Sequence, residues 1–206
     1  MTDYSQFGEY SQGIAPYLET ASPPRHRSLV DVGTHGRKNS NTFNLVEQGW
    51  SGIWVDAEPK AAAWCRKDLK GHADRVRVIE TAIVTDAMER ECGGLTRLYI
   101  HKRYGQHTLL EDQHPESRTR KSIEVDCISL GRLCSEEGVP TDFDLLDLDI
   151  EGLDNEVLVS FPTHWEFRPG MILIESPDER TRSALRDAGY GLHWRNDVNE
   201  IHVQSS

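Results

Sequence analysis

The strongest constraint on this chain is an alternation of short apolar runs with segments of helical pattern. Residues 28–32 form a five-residue run closed by Gly33, the mark of a buried strand entering a tight turn. Residues 41–49 place Phe43, Leu45 and Val46 on helical spacing, with Ser40 or Asn41 as N-cap and Gly49 as stop. A second strand follows at 52–56, a helix opened by Pro59 runs to Leu69 with Gly71 after it, and a third strand occupies 75–79. Strand, helix, strand, helix, strand predicts a parallel sheet with covering helices. In the middle, 95–100 and 122–125 read as an inserted strand pair. The pattern then resumes with a strand at 143–149, a helix from Leu153, a strand at 171–175 and a helix at 179–188 closed by Gly189. Residues 191–194 and 200–203 suit a final antiparallel pair. The expectation is an α/β fold: one mostly parallel seven-stranded sheet with helices on both faces, spanning 28–206. Residues 1–27, polar and broken by Pro23 and Pro24, read as an N-terminal arm.

A chain of 206 residues suits one domain with a full core. Its 23 Lys and Arg against 34 Asp and Glu give a net charge of −11, which repels a phosphate backbone and argues against nucleic acid as a partner. No apolar run approaches the roughly 20 residues that span a bilayer, and residues 1–10 do not read as a signal peptide. A cytoplasmic protein without membrane contact is expected. The four cysteines have no CxxC spacing and read as free thiols, and the nine histidines form no HExxH motif. Oligomeric state is left open.

Three places carry chemistry. The first is the turn Asp31-Val32-Gly33-Thr34-His35-Gly36 at the carboxyl end of the first strand, where doubly wound sheets bind nucleotide-like ligands. The dinucleotide fingerprint GxGxxG is not there. The second is the acid after the second strand, Asp56 or Glu58, suited to the hydroxyls of a ribose. The third is Asp147-Leu148-Asp149-Ile150-Glu151-Gly152. Period-two spacing puts Asp147, Asp149 and Glu151 on one side of an extended strand. Carboxylates crowded in this way need a cation, a donor network or a ligand amine, and Mg²⁺ also suits clustered oxygen ligands. The polar, His-rich segment at 101–121 reads as a solvated or substrate-covering loop, with Arg118, Arg120 and Lys121 as solvated charges or a site for an acidic substrate.

Taken in order, these residues resemble the FkbM-type S-adenosylmethionine (SAM)-dependent methyltransferases. The resemblance rests on Asp31-Val32-Gly33-Thr34-His35-Gly36, Ser40-Asn41-Thr42, Gly49-Trp50-Ser51-Gly52 and Asp56. It continues through Asp149-Ile150-Glu151-Gly152 with Asp154, Glu156, Val157 and Leu158, then Glu175, Gly189-Tyr190 and Asn199. Thr34 stands where the family has Ala, and Ala57 and Glu58 separate Asp56 from Pro59. The resemblance implies a Rossmann-like class I methyltransferase fold and SAM as cofactor. Asp31, Gly33, Thr34, His35 and Gly36 would lie at its amino-acid end. Asp56 or Glu58 would hold its ribose, Thr81 and Ala82 would lie beside its adenine, and Asp149 would face the methionine amine or the acceptor. It also implies in-line methyl transfer to a hydroxyl on a sugar or small secondary metabolite. Candidate bases are Asp149, Glu151 and His107, with His35 and His114 as further histidines. Trp165, Trp194, Tyr104 and Tyr190 are candidates for stacking on a carbohydrate acceptor. Two other readings compete: a nicotinamide-dependent oxidoreductase on a similar sheet, and a catalytically degenerate binding module or partner subunit.

Overall fold

A computed structural model of the protein describes residues 2–20, 23–100, 107–110, 121–164 and 166–205. A π-helical turn at Glu9–Ile14 and α1 (Ala15–Thr20) come first. They are followed by β1 (Ser28–Val32), α2 (Phe43–Glu47), β2 (Ser51–Asp56), α3 (Pro59–Asp68) and β3 (Val76–Glu80). Next come β4 (Ala82–Val84), α4 (Asp86–Cys92), β5 (Leu95–Ile100), β6 (Lys121–Ser129) and α5 (Leu130–Glu136). The chain closes with β7 (Leu145–Leu148), α6 (Asp154–His164), β8 (Met171–Glu175), α7 (Glu179–Asp187), β9 (Tyr190–Arg195) and β10 (Asn199–Gln204).

Seven strands form one sheet in the order β3-β2-β1-β7-β8-β10-β9. β3, β2, β1, β7 and β8 pair in parallel, and β10 runs antiparallel to both of its neighbours. The strand order reverses between β1 and β7. In such sheets the crevice outside the carboxyl ends at the reversal is where ligands bind.

Strand alternation divides the sheet between two cores. Val30, Val32, Ile53, Val55, Leu146 and Leu148 pack with Leu130, Leu133, Val157, Phe161 and Leu185 of α5, α6 and α7. Leu29, Trp54, Leu145 and Leu173 pack on the opposite face with Phe43, Leu45 and Cys65 of α2 and α3. Tyr10 and Ile14 join that second core, so the expected arm folds over the sheet. Glu9 fixes it there. Its fully buried carboxylate accepts hydrogen bonds from Phe7 N (2.8 Å), Asn199 Nδ2 (2.7 Å) and Asn196 Nδ2 (3.2 Å).

The middle of the chain departs from expectation. The inserted strand pair is a three-stranded sheet, β4-β6-β5, because β4 follows β3 after Thr81 and pairs in parallel with β6. The helices α4 and α5 were not anticipated. α4 half-buries only Met88 and Cys92 against the core, and both helices are only seven residues long. The strand expected at 143–149 stops at Leu148.

Candidate active site

A cavity of about 800 Å³ opens at the carboxyl ends of β1, β2 and β7 and at Glu175 of β8, a volume suited to a ligand of cofactor size. Of the residues expected from sequence, Asp31, Gly33, Thr34, His35, Asp56, Glu58, Thr81, Ala82, His107, Asp149 and Glu151 line it together. Gly36 is set back from it. A Cβ at Gly36 would meet Asp68 Oδ2 at 2.9 Å, and Asp68 accepts from Arg37 N (2.8 Å), so Gly36 serves the turn.

Gly33 is required by both conformation and space. Its φ is +92°, and a Cβ there would lie 1.6 Å from the Asp149 carbonyl oxygen. The backbone of the β1 turn thereby meets the β7 turn, where Asp149 N donates to Val32 O at 3.0 Å. Asp31 organises this turn. Its buried carboxylate accepts from the hydroxyls of Thr34 and Thr42, and Trp54 Nε1 donates to Thr42 Oγ1 at 3.0 Å. Burial pushes the Asp31 carboxyl up to about 6.

Asp56 is also buried, with one oxygen available. Oδ1 accepts from Glu58 N at 2.7 Å, and Oδ2, 3.4 Å from His35 Nδ1, accepts no hydrogen bond among the described residues. Burial first, and the neighbouring Glu58 carboxylate second, push Asp56 up to about 7. Glu58 points instead toward His107, with Oε2 and Nε2 3.2 Å apart. Thr81 donates from its hydroxyl to Asp126 O (3.1 Å). Ala82, Leu98 and Leu109 add an apolar stretch of wall.

Carboxylates gather beyond β7 and β8. Asp149, Glu151 and Glu175 each bring a carboxylate oxygen within 4.8 Å of the others. The sequence expectation placed Asp147 in this group, on the premise of an extended strand. The strand ends instead, Glu151 takes φ +51° and Gly152 φ +110°, and Glu175 becomes the third member. Asp147 lies in register with Asp31 on the neighbouring strand, and Asn41 Nδ2 donates to it at 3.4 Å. Asp154 holds the turn, accepting from Ile150 N (2.8 Å) and Gly152 N (3.1 Å). Asp149 is open to the cavity yet enclosed by protein. Desolvation first, then Glu175, hold its carboxyl well above the usual range. Glu151 is pushed up to about 7 by desolvation and then by Glu175 and Asp154. The sequence marked Glu175 only as a strand end. Gln6 and Phe7 of the arm and Val198 of the β9–β10 turn also line the cavity, and nothing local in the sequence signals them.

His107 falls in a cluster with His35 and Glu58, separate from the carboxylate group. Tyr190 is a core residue, its hydroxyl donating to Pro169 O at 2.7 Å, and Trp194 packs against the second core. Neither lines the cavity. Tyr104, His114, Arg118, Arg120 and Trp165 lie outside the described residues.

Among the described residues, no helix is long and apolar enough to cross a membrane. No curated protein matches the chain. Solved structures similar to it include an O-methyltransferase from Bacillus cereus in complex with S-adenosylhomocysteine (SAH), at 14% identity and TM-score 0.45, covering 87% of this chain and 74% of that one. A precorrin-6y C5,15-methyltransferase from Geobacter metallireducens is similar at 13% identity and TM-score 0.48, covering 98% and 92%. TrmK of M. capricolum in complex with SAH is similar at 10% identity and TM-score 0.48, covering 94% and 66%. The sequence profile of the methyltransferase FkbM domain matches residues 31–192. With that match over most of its length, the chain belongs to the FkbM family of SAM-dependent methyltransferases.

Proposed function

We propose that this protein transfers the methyl group of SAM to a hydroxyl on a sugar or small metabolite. The observation that carries the reading is the crowd of carboxylates that lines the cavity at the sheet reversal, Asp56 on one side and the group of Asp149, Glu151 and Glu175 on the other. An ammonium and a sulfonium are cations of the required kind. The residues fit the cofactor in three ways. Gly33 leaves the backbone bare where a side chain would intrude. Asp56 Oδ2 is a buried acceptor without a hydrogen bond among the described residues, suited to a ribose hydroxyl. Ala82, Leu98 and Leu109 offer an apolar surface for a purine. Asp56, rather than Glu58, takes the ribose in this reading, because Glu58 is turned to His107.

When bound, SAM supplies an electrophilic methyl group for in-line displacement. The protein's share is positioning and proton removal. Glu151, pushed up to about 7, is the base that takes the acceptor's proton, since a base works best with a pKa near the working pH. Asp149 orients the acceptor beside it. Of the three candidate bases, Asp149, Glu151 and His107, this reading takes Glu151.

The test is calorimetric titration with SAM and SAH, beside Asp56→Ala. Micromolar binding by the intact protein, lost in the variant, supports the cofactor and the ribose contact together. Acceptor screening with sugar and metabolite hydroxyls then follows, with and without Mg²⁺. Absence of SAM binding sinks the proposal. Binding without turnover of any acceptor favours the non-catalytic module.

A further inference from the structure

The imidazoles of His35 and His107 have no part in the proposed methyl transfer, yet they meet at the cavity wall with ring centroids 6.0 Å apart. One ligating atom from each of His35, Glu58 and His107 falls within 4.8 Å of the others. We propose that these three side chains form a Zn²⁺ site, with Asp56 as the carboxylate that orients His35.

The donor set and its spacing carry this. Two imidazoles and one carboxylate favour zinc over the hard cations, which prefer oxygen alone. Two donors on a tetrahedral zinc at about 2.0–2.1 Å stand about 3.3 Å from each other. Glu58 Oε2 and His107 Nε2 are already 3.2 Å apart. Both side chains are withdrawn from bulk water, 11% and 6% exposed. Buried Glu58 Oε2 and His35 Nε2 have no hydrogen bond among the described residues. The other nitrogen of His35 faces two acceptors, Asp56 Oδ2 at 3.4 Å and Gly33 O at 3.5 Å. In the Nδ1–H tautomer that these acceptors favour, the Nε2 lone pair is available to a metal, as in the carboxylate–histidine–zinc arrangement.

The three ligands stand on different elements. His35 is on the β1 turn, Glu58 immediately precedes α3, and His107 adjoins Thr108, which exchanges backbone hydrogen bonds with Tyr99 of β5. Three ligands among the described residues leave a fourth tetrahedral position for water or a further donor. One consequence rests on the proposed function. Asp56 Oδ2 is the atom assigned to the ribose, so Zn²⁺ and SAM weaken each other's binding, reciprocally.

The experiment uses the full chain, stripped with a chelator and free of SAM. Zn²⁺ is titrated by calorimetry and Co²⁺ by its visible absorption. One ion per chain is expected. Affinity should fall about tenfold in Asp56→Asn, further in His35→Ala and His107→Ala, and not at all in Glu151→Gln. X-ray absorption of the Zn²⁺-loaded intact protein, which needs no variant, should show imidazole ligands and no sulfur. The site is overturned by a lack of saturable binding, by equal binding in both histidine variants, or by loss in Glu151→Gln instead. SAM titrated in chelator reports on the methyltransferase reading alone. A SAM affinity unmoved by saturating Zn²⁺ overturns the shared use of Asp56.

Discussion

Gly33 is where a single added methyl group does most damage. Alanine there must hold φ near +92° and place its Cβ 1.6 Å from the Asp149 carbonyl. The conformation alone costs about 1–2 kcal/mol, and the collision adds displacement of the β7 turn. We expect Gly33→Ala to lose more than about 2 kcal/mol of stability in urea unfolding and to abolish SAM binding by calorimetry. A variant that binds SAM as well as the intact protein removes the close approach from the site. Asp56→Asn should separate binding from folding. It replaces a buried carboxyl pushed up to about 7 with a neutral group of the same shape, so stability at pH 8 holds or rises while SAM affinity falls at least about tenfold. A parallel fall in both would make Asp56 a structural residue. The sequence shows Asp31 and Asp56 alike, as acids at strand ends. What separates them is Thr42, which folding brings to the Asp31 carboxylate as a donor and which accepts in turn from Trp54 Nε1.

The turn between β7 and α6 shows what one element does for the chemistry. Its apolar run and following glycine were readable, but its shape was not. A period-two reading needs extended backbone, and Glu151 leaves it at φ +51°. Asp154 holds that bend through Ile150 N and Gly152 N. Removing the carboxylate leaves both donors without their acceptor, as when a helix cap is lost. Asp154→Ala should cost about 1–2 kcal/mol in denaturant unfolding. It should also lower kcat more than it raises the KM for SAM, because Glu151 is released while Asp56 is untouched. An unchanged kcat would detach Glu151 from proton removal. The N-terminal arm is the opposite case. Its polar, proline-broken sequence shows no core face, and Glu9 finds Asn199 across 190 positions of chain. A partner so distant leaves no periodic trace. The seven-stranded sheet was legible because each apolar run carries its own burial, whereas the inserted sheet depends on a three-residue strand, β4, recognisable only by its pairing with β6.

Across the whole molecule, the excess of acid, −11 in all, converges on the cavity. Asp56 and Glu151 are pushed up to about 7 and Asp31 to about 6, against ordinary values of 3.8 and 4.5. Between those ordinary values and about pH 7 the folded chain therefore holds more protons than the unfolded chain. Stability then falls as pH rises through that window. Glu89, Asp178 and Glu200, each held below the usual range by hydrogen bonds or cations, act in the opposite sense, but only at acid pH. His202, lowered by burial, also acts oppositely, below about 6.5. Between pH 6.5 and pH 8 the unfolded His202 still opposes the cavity at the lower end, and the buried thiols of Cys65, Cys127 and Cys134, pushed up by desolvation, add to it at the upper end, so the cavity's share is read from Asp56→Asn. The urea midpoint of the cofactor-free protein should be lower at pH 8, and Asp56→Asn should reduce the difference. A bound cation favours the ionised carboxylates, so SAM affinity should rise over the same interval and binding should release protons. Calorimetry in two buffers of different ionisation enthalpy counts them. A midpoint flat or rising from pH 6.5 to 8, with no proton released by SAM, would mean that the carboxylates are already ionised in the empty cavity. The charge argument for a cationic cofactor would then fail, and the cavity's shape alone would have to carry it.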